Sequence, residues 1–291
     1  MCDEIDFAAM KKRGLNRRQF GAAGALAMLA ACTAGGEAGE NALAEGGLTE
    51  ATVSIDTPDG AMDAFFVHPA SGSHPAVIFW PDGVGLRDAM KVMARRLAAS
   101  GYAVLVPNTF YRASSAPLFE DFATFIEEEG MEQIGALGEP LTAEAMMRDA
   151  RLLVTWLDGQ EAVAQDRGIG TQGYCMGGAF AVWTAAAVPS RVRAVASFHG
   201  GGLVGDEPTA PINMLDDGEA EFLIAIAQDD DARHPAEKDR LREAADAAGV
   251  SAEIEVYAGD HGWTVPDFPI YVQAEGDRAW NRLLALYERR L

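Results

Sequence analysis

An α/β domain, with a mostly parallel twisted sheet and helices on both faces, is what this sequence predicts, on three observations. Short continuous apolar runs such as 76–80 (AVIFW) and 102–106 (YAVLV) read as strands covered on both sides. Longer stretches with apolar residues at helical spacing separate them, and this alternation is the pattern of a parallel sheet. No internal repeat breaks the series, so residues 50–291 are expected to form one domain.

In chain order, residues 1–31 come first and read as an export signal, not as part of the fold. Lys11-Lys12-Arg13 and Arg17-Arg18 precede an apolar run, Gly21 to Ala31, of 11 residues. That run is too short to cross a bilayer, which takes ~20 residues. A basic front, a short apolar core and small residues at a cut site are the marks of a signal. Arg17-Arg18 followed by Phe20 resembles a twin-arginine signal. Leu29-Ala30-Ala31-Cys32 resembles a bacterial lipobox, which makes Cys32 the expected lipidation site and implies an exported, periplasmic, membrane-anchored lipoprotein. Asp3, Glu4 and Asp6 sit poorly in a basic front, so Met10 is the expected start of translation. Residues 32–49 are rich in Gly, Ala and Glu with little to bury, and read as a flexible tether.

The domain follows. Ala51–Asp56 and Met62–Val67 read as strands joined by the turn Thr57-Pro58-Asp59-Gly60, a hairpin. Asp88–Ser100 is a predicted helix with Met90, Met93, Ala94 and Leu97 on one stripe and Gly101 as its stop. Thr142 caps a helix running to about Leu157. Gly168–Cys175 is a strand, and Met176–Val188 a helix stopped by Pro189. Strands at Val192–Phe198, Phe222–Ala227 and Ile254–Tyr257 and helices at about Pro235–Ala248 and Ala274–Arg290 complete the series. The stretch from Thr109 to Pro140 is long for a connection and is either a lid or a surface excursion.

Charge narrows the partners. Formal net charge is −21, from 44 acidic and 23 basic side chains. Such a surface repels nucleic acid and anionic lipid, so contact with a membrane is expected only through the N-terminal anchor. Of three cysteines, Cys2 precedes the signal and Cys32 ends it. Cys175 is therefore alone in the domain and has no disulfide partner there.

Cys175 sits in Gly173-Tyr174-Cys175-Met176-Gly177-Gly178, at the end of a strand and the start of a helix. Free cysteine is often no more than a small buried hydrophobe. Here, however, the pattern small-x-nucleophile-x-small is that of a nucleophile elbow, with sulfur in place of a serine oxygen. The turn is strained, so its neighbours must lack bulk. The helix N-terminus favours thiolate over thiol, and the Met176 peptide N–H is placed for an oxyanion. A base and its orienting acid are then needed. Asp229-Asp230-Asp231 follow one apolar strand, and His261 follows the next, in Gly259-Asp260-His261-Gly262-Trp263. Nucleophile, acid and histidine, each just past a different strand, is the order of α/β-hydrolases.

These motifs resemble the dienelactone hydrolase (carboxymethylenebutenolidase) family, and the likeness extends from about Ala51 to the C-terminus. The resemblance implies a single α/β-hydrolase domain, hydrolysis of small carboxylic esters or lactones, and no cofactor or metal. It implies Cys175 as nucleophile, His261 as general base then acid, and Asp230 as the acid that aligns best, with Asp229 and Asp231 as alternatives. Asp82, in Trp80-Pro81-Asp82-Gly83, falls where the family has a glutamate that interacts with the nucleophile, and is one methylene shorter. Gly83 is the second oxyanion donor on this reading, beside Met176.

The sequence departs from the family at the substrate. Val265 and Pro266 stand where an arginine follows the family's histidine, and no arginine lies between Arg112 and Arg148. Ester or lactone hydrolysis is thus expected, by a monomer, more than dienelactone hydrolysis itself. The alternative is a catalytically weak ligand-binding lipoprotein of the cell envelope. His199, in Phe198-His199-Gly200-Gly201, reads first as a hydrogen-bonded structural histidine and second as a pocket residue. His68, His74 and His234 read as surface residues beside prolines, and no His/Cys spacing suggests a metal site.

Overall fold

The computed structural model describes residues 47–215 and 218–291. The expected export signal, Cys32 and most of the 32–49 tether lie outside the described residues. Strand β1 (Leu48–Thr57) pairs antiparallel with β2 (Gly60–Pro69) in an unbroken register. The turn between them is closed by Thr57, whose hydroxyl accepts the Asp59 N–H at 3.1 Å and donates to the Gly60 carbonyl at 2.8 Å. β1 thus takes up Leu48 and Thr49, the last two residues of the range read as tether.

Beyond the hairpin come β3 (Ala76–Trp80), α1 (Asp88–Ala99) and β4 (Ala103–Pro107), then α2 (Phe122–Glu127), α3 (Gly130–Leu137), α4 (Ala143–Asp158), β5 (Ile169–Tyr174) and α5 (Gly177–Ala187). The chain closes with β6 (Val192–Phe198), a 3-10 turn (Pro211–Met214), β7 (Glu221–Ala227), α6 (Gln228–Arg233), α7 (Glu237–Ala248), β8 (Ala252–Tyr257) and α8 (Gln273–Arg290). The sheet has 8 strands in the order β1-β2-β4-β3-β5-β6-β7-β8. β2 meets β4 antiparallel, and every pair from β4 to β8 is parallel.

The central strands are apolar on both faces because both are covered. Leu153 of α4, Phe180 of α5 and Leu241 of α7 pack on one side. Leu97 of α1 and Leu283 and Tyr287 of α8 pack on the other. Each such side chain contributes roughly 1.5–3 kcal/mol by leaving water. Helix α5 is buried along most of its length, which explains its Ala/Gly composition: it lies close against the sheet and has no solvent face to make polar. α1 is amphipathic and buries Met90, Ala94 and Leu97, ending where Gly101 takes φ +98°. α4 begins at the expected cap, the Thr142 hydroxyl accepting the Ala145 N–H at 3.2 Å.

Two segments carry more structure than the sequence pattern shows. Asp229–Asp231 sit in α6, a short helix directly after β7. The 109–140 stretch contains α2 and α3 and covers the carboxyl end of the sheet, so it is a cap and not a surface excursion.

Candidate active site

In a parallel sheet the carboxyl ends of the strands converge on one edge. Here β3 leads to Asp82 and Gly83, β5 to Cys175, β6 to His199, β7 to Asp229 and Asp230, and β8 to His261. β3, β5, β6, β7 and β8 are successive neighbours, so residues far apart in sequence meet above the sheet.

Cys175 is buried, at 5% exposure, and holds φ +54°. A non-glycine residue in the left-handed region costs about 1–3 kcal/mol, and such strain collects at functional sites. The turn is enforced by contact. A Cβ added at Gly173 would lie 1.8 Å from the Gly177 carbonyl oxygen, and one at Gly177 would lie 2.5 Å from that of Pro81. These glycines let β5, α5 and the segment after β3 share one small volume. Met176 is the N-cap of α5, so its peptide N–H lies in the helix's first turn, beside the thiol.

His261 is buried, at 6% exposure, and its Nδ1 lies 2.7 Å from Asp230 Oδ2. Its backbone N–H donates to Asp229 Oδ1 at 2.8 Å, and the same oxygen accepts the Asp230 N–H at 3.0 Å. Of the three candidate acids, Asp230 therefore meets the imidazole, Asp229 pins the loop that carries it, and Asp231 turns away to Lys238 at 2.6 Å. Arg233 pairs with both Asp229 and Asp230. Gly262 takes φ +107° with Phe268 against it, which turns the chain sharply after the histidine.

His199 is both hydrogen-bonded and a pocket residue. It is buried at 1% exposure with φ +40°. Its Nδ1 accepts the Cys175 N–H at 3.2 Å, so the ring proton sits on Nε2, which lies 3.1 Å from Thr264 Oγ1. Its ring stands 4.9 Å from that of His261 between centroids. Burial, with His261 adding to it, holds its pKa well below the ordinary histidine value, so it stays a neutral acceptor.

Asp82 is buried, and its carboxylate is engaged by Arg87 through both oxygens, at 2.8 and 3.1 Å. Burial pushes its pKa up while Arg87 opposes the shift. Arg87 in turn grips both oxygens of Asp267, at 2.6 and 2.7 Å, and Asp267 accepts the Phe122 N–H of α2 at 3.2 Å. Burial works against charge on Arg87, but the two carboxylates outweigh it and its pKa rises above the ordinary value. This network ties the loop after β3, the loop after β8 and the cap together. Nothing in the spacing of Asp82, Arg87 and Asp267 signals it in the sequence.

A small recess opens over these groups. Cys175, His199, His261, Asp82 and Gly83 line its floor, and Phe122, Phe125, Met131, Ile134 and Phe268 form apolar walls. Ile134 of α3 stands over Gly83: a Cβ built there would lie 3.1 Å from Ile134 Cδ1. His234 is exposed, while His68 and His74 are half-buried near the hairpin and the start of β3, away from the recess. Among the described residues, no group of three His, Cys, Asp or Glu side chains is placed to hold a metal ion. A thiol, an imidazole oriented by a carboxylate, and peptide N–H groups beside them are the parts needed for acyl transfer.

The sequence model of the dienelactone hydrolase family matches residues 62–291. A carboxymethylenebutenolidase of Rhodococcus opacus is 27% identical over 256 residues, covering 84% of this chain and 94% of that protein. A dienelactone hydrolase of Anabaena variabilis shares the fold with a TM-score of 0.55 at 20% identity, over 84% of this chain and 99% of that one. So does a dienelactone hydrolase-like promiscuous phosphotriesterase from metagenomic libraries, with a TM-score of 0.64 at 22% identity over 84% and 99% of the two chains.

Proposed function

The chain belongs to the dienelactone hydrolase family of α/β-hydrolases, and from that membership we propose that it cleaves small carboxylic esters or lactones with Cys175 as nucleophile. The observation that carries the reading is one of geometry. A cysteine in a left-handed elbow lines the same recess as a histidine whose far nitrogen is held by Asp230.

His261 takes the Cys175 proton on Nε2, and the thiolate attacks the ester carbonyl. Peptide N–H groups of Met176 and Gly83 hold the oxyanion of the tetrahedral intermediate. As the intermediate collapses, the C–O bond to the leaving group breaks and His261 returns its proton to the alkoxide. Water, deprotonated by His261, then attacks the thioester, and the carboxylic acid leaves as the thiol is restored. Asp230 balances the imidazolium that forms twice in each cycle.

Cys175→Ala tests the reading directly: hydrolysis of p-nitrophenyl esters should fall by at least ~10^3-fold, and full retention would refute it. The proposal includes export and lipid anchoring at Cys32, which rest on Arg17-Arg18 and on Leu29-Ala30-Ala31-Cys32. Wild-type protein is expected in the membrane fraction, and the Cys32→Ser product in the soluble one.

A further inference from the structure

A substrate that carries its own carboxylate needs a cation with donors to spare. None of the residues that line the recess is Lys or Arg. Among the described residues, a cation stands directly behind the wall: Arg87 pairs with Asp82, which lines the recess, and lies 5.8 Å from the centroid of the Phe268 ring, which also lines it. A guanidinium has five N–H donors. Here Nε bonds Asp267, one terminal nitrogen bonds Asp82 and the Gly85 carbonyl, and the other bonds Asp82 and Asp267, at 2.6 to 3.2 Å. That uses every donor. The side chain is also fully buried, so an incoming anion would have to displace a carboxylate that is already in place. Two carboxylates around one guanidinium leave no surplus positive charge, whichever form Asp82 takes.

Resting on the ester-hydrolase reading above, we propose that this site selects neutral, apolar esters and rejects anionic ones, and that Asp267 is the residue that enforces the rejection. Asp267 occupies donors that a substrate carboxylate would otherwise use, and adds a negative charge beside Phe122, whose N–H it accepts, and Phe268, its neighbour in the chain, both of which line the recess. The natural substrate is then an uncharged ester or lactone with an apolar acyl or alkyl part. Its hydrolysis creates the carboxylate, which the site does not hold, so product release is favoured.

A matched pair of substrates tests this: p-nitrophenyl pentanoate, and the p-nitrophenyl monoester of glutaric acid, which is of similar length but anionic. The wild type should favour the neutral ester by at least ~30-fold in kcat/KM, a difference typical of one unmatched polar group at a binding site. Asp267→Asn, nearly isosteric, should narrow that ratio by roughly tenfold. Equal use of both esters by the wild type, or an unchanged ratio in Asp267→Asn, would overturn the proposal. If neither ester is hydrolysed, the catalytic reading fails, and alkylation of Cys175 still decides the polarity. Iodoacetamide should then outpace iodoacetate at Cys175 by more than it does with free cysteine, read by peptide mass spectrometry, and an equal ratio would overturn the selection.

Discussion

His261 Nδ1 lies 2.7 Å from Asp230 Oδ2, and since a carboxylate only accepts, the ring proton sits on Nδ1 and leaves Nε2 as the basic nitrogen. The acid is thereby distinguished from its neighbours, because Asp229 is spent on two backbone N–H groups and Asp231 on Lys238. Asp230→Asn should lower kcat by on the order of 10^3–10^4-fold, since an amide cannot balance an imidazolium or fix its tautomer. Asp231→Asn should stay within about twofold of wild type, because its half-buried carboxylate is paired with Lys238 and does not meet the imidazole. Steady-state kinetics on one aryl ester checks both.

The elbow should not tolerate a methyl group. Gly173→Ala and Gly177→Ala place a Cβ 1.8 and 2.5 Å from backbone oxygens, and the backbone cannot yield as a flexible side chain can. Each should cost at least ~3 kcal/mol, at the upper end of overpacking effects. Urea denaturation gives the number. A loss below about 1 kcal/mol would mean that the turn is looser than this geometry.

His199 gives stability a pH dependence of known sign. Its folded pKa lies well below 6.5, while in the unfolded chain it returns to about 6.5. Above that pH both states are neutral and the group contributes no slope. As pH falls below about 6.5, the unfolded chain takes up a proton that the folded one refuses, so stability is lost toward the folded pKa. The slope should approach but not exceed ~1.4 kcal/mol per pH unit. Denaturation curves between pH 5 and 8 should show it in the wild type and show it reduced in His199→Asn.

The cap should set the size of the acyl group. Met131 and Ile134 are half-buried residues of α3 that line the recess, with Ile134 over Gly83. Ile134→Ala should shift the preferred p-nitrophenyl ester toward longer chains, by roughly tenfold in relative kcat/KM. Fold stability should fall by less than the ~2–5 kcal/mol of a fully buried Ile→Ala change, because the side chain is half-buried and packs only against the edge of the core.

Much of this was legible in the residues themselves. The turn at Thr57–Gly60, the apolar run Ala76–Trp80 and the small residues around Cys175 are local signals, each with one physical cause, and with the strand pattern they put Cys175 and His261 at strand ends. The resemblance favoured Asp230 but left Asp229 and Asp231 open, since three identical side chains in a row differ only in the direction α6 gives them. The Asp82–Arg87–Asp267 network joins residues up to 185 positions apart through turns that carry no periodicity. The cap was legible only as an overlong connection, because α2 and α3 are too short, at 6 and 8 residues, to show a clear helical stripe. His199 gave no sign of its left-handed backbone, or that its ring is held by Cys175 and Thr264.

The central claim is that an acyl group passes through Cys175, and trapping that group tests it most directly. Protein mixed with excess p-nitrophenyl ester should be quenched in acid within the first turnover and its peptides weighed. The account predicts one acyl group per chain, on the peptide containing Cys175 and removable by hydroxylamine as a thioester is. An acyl group mapped to a different residue, or wild-type turnover by Cys175→Ala, would contradict it.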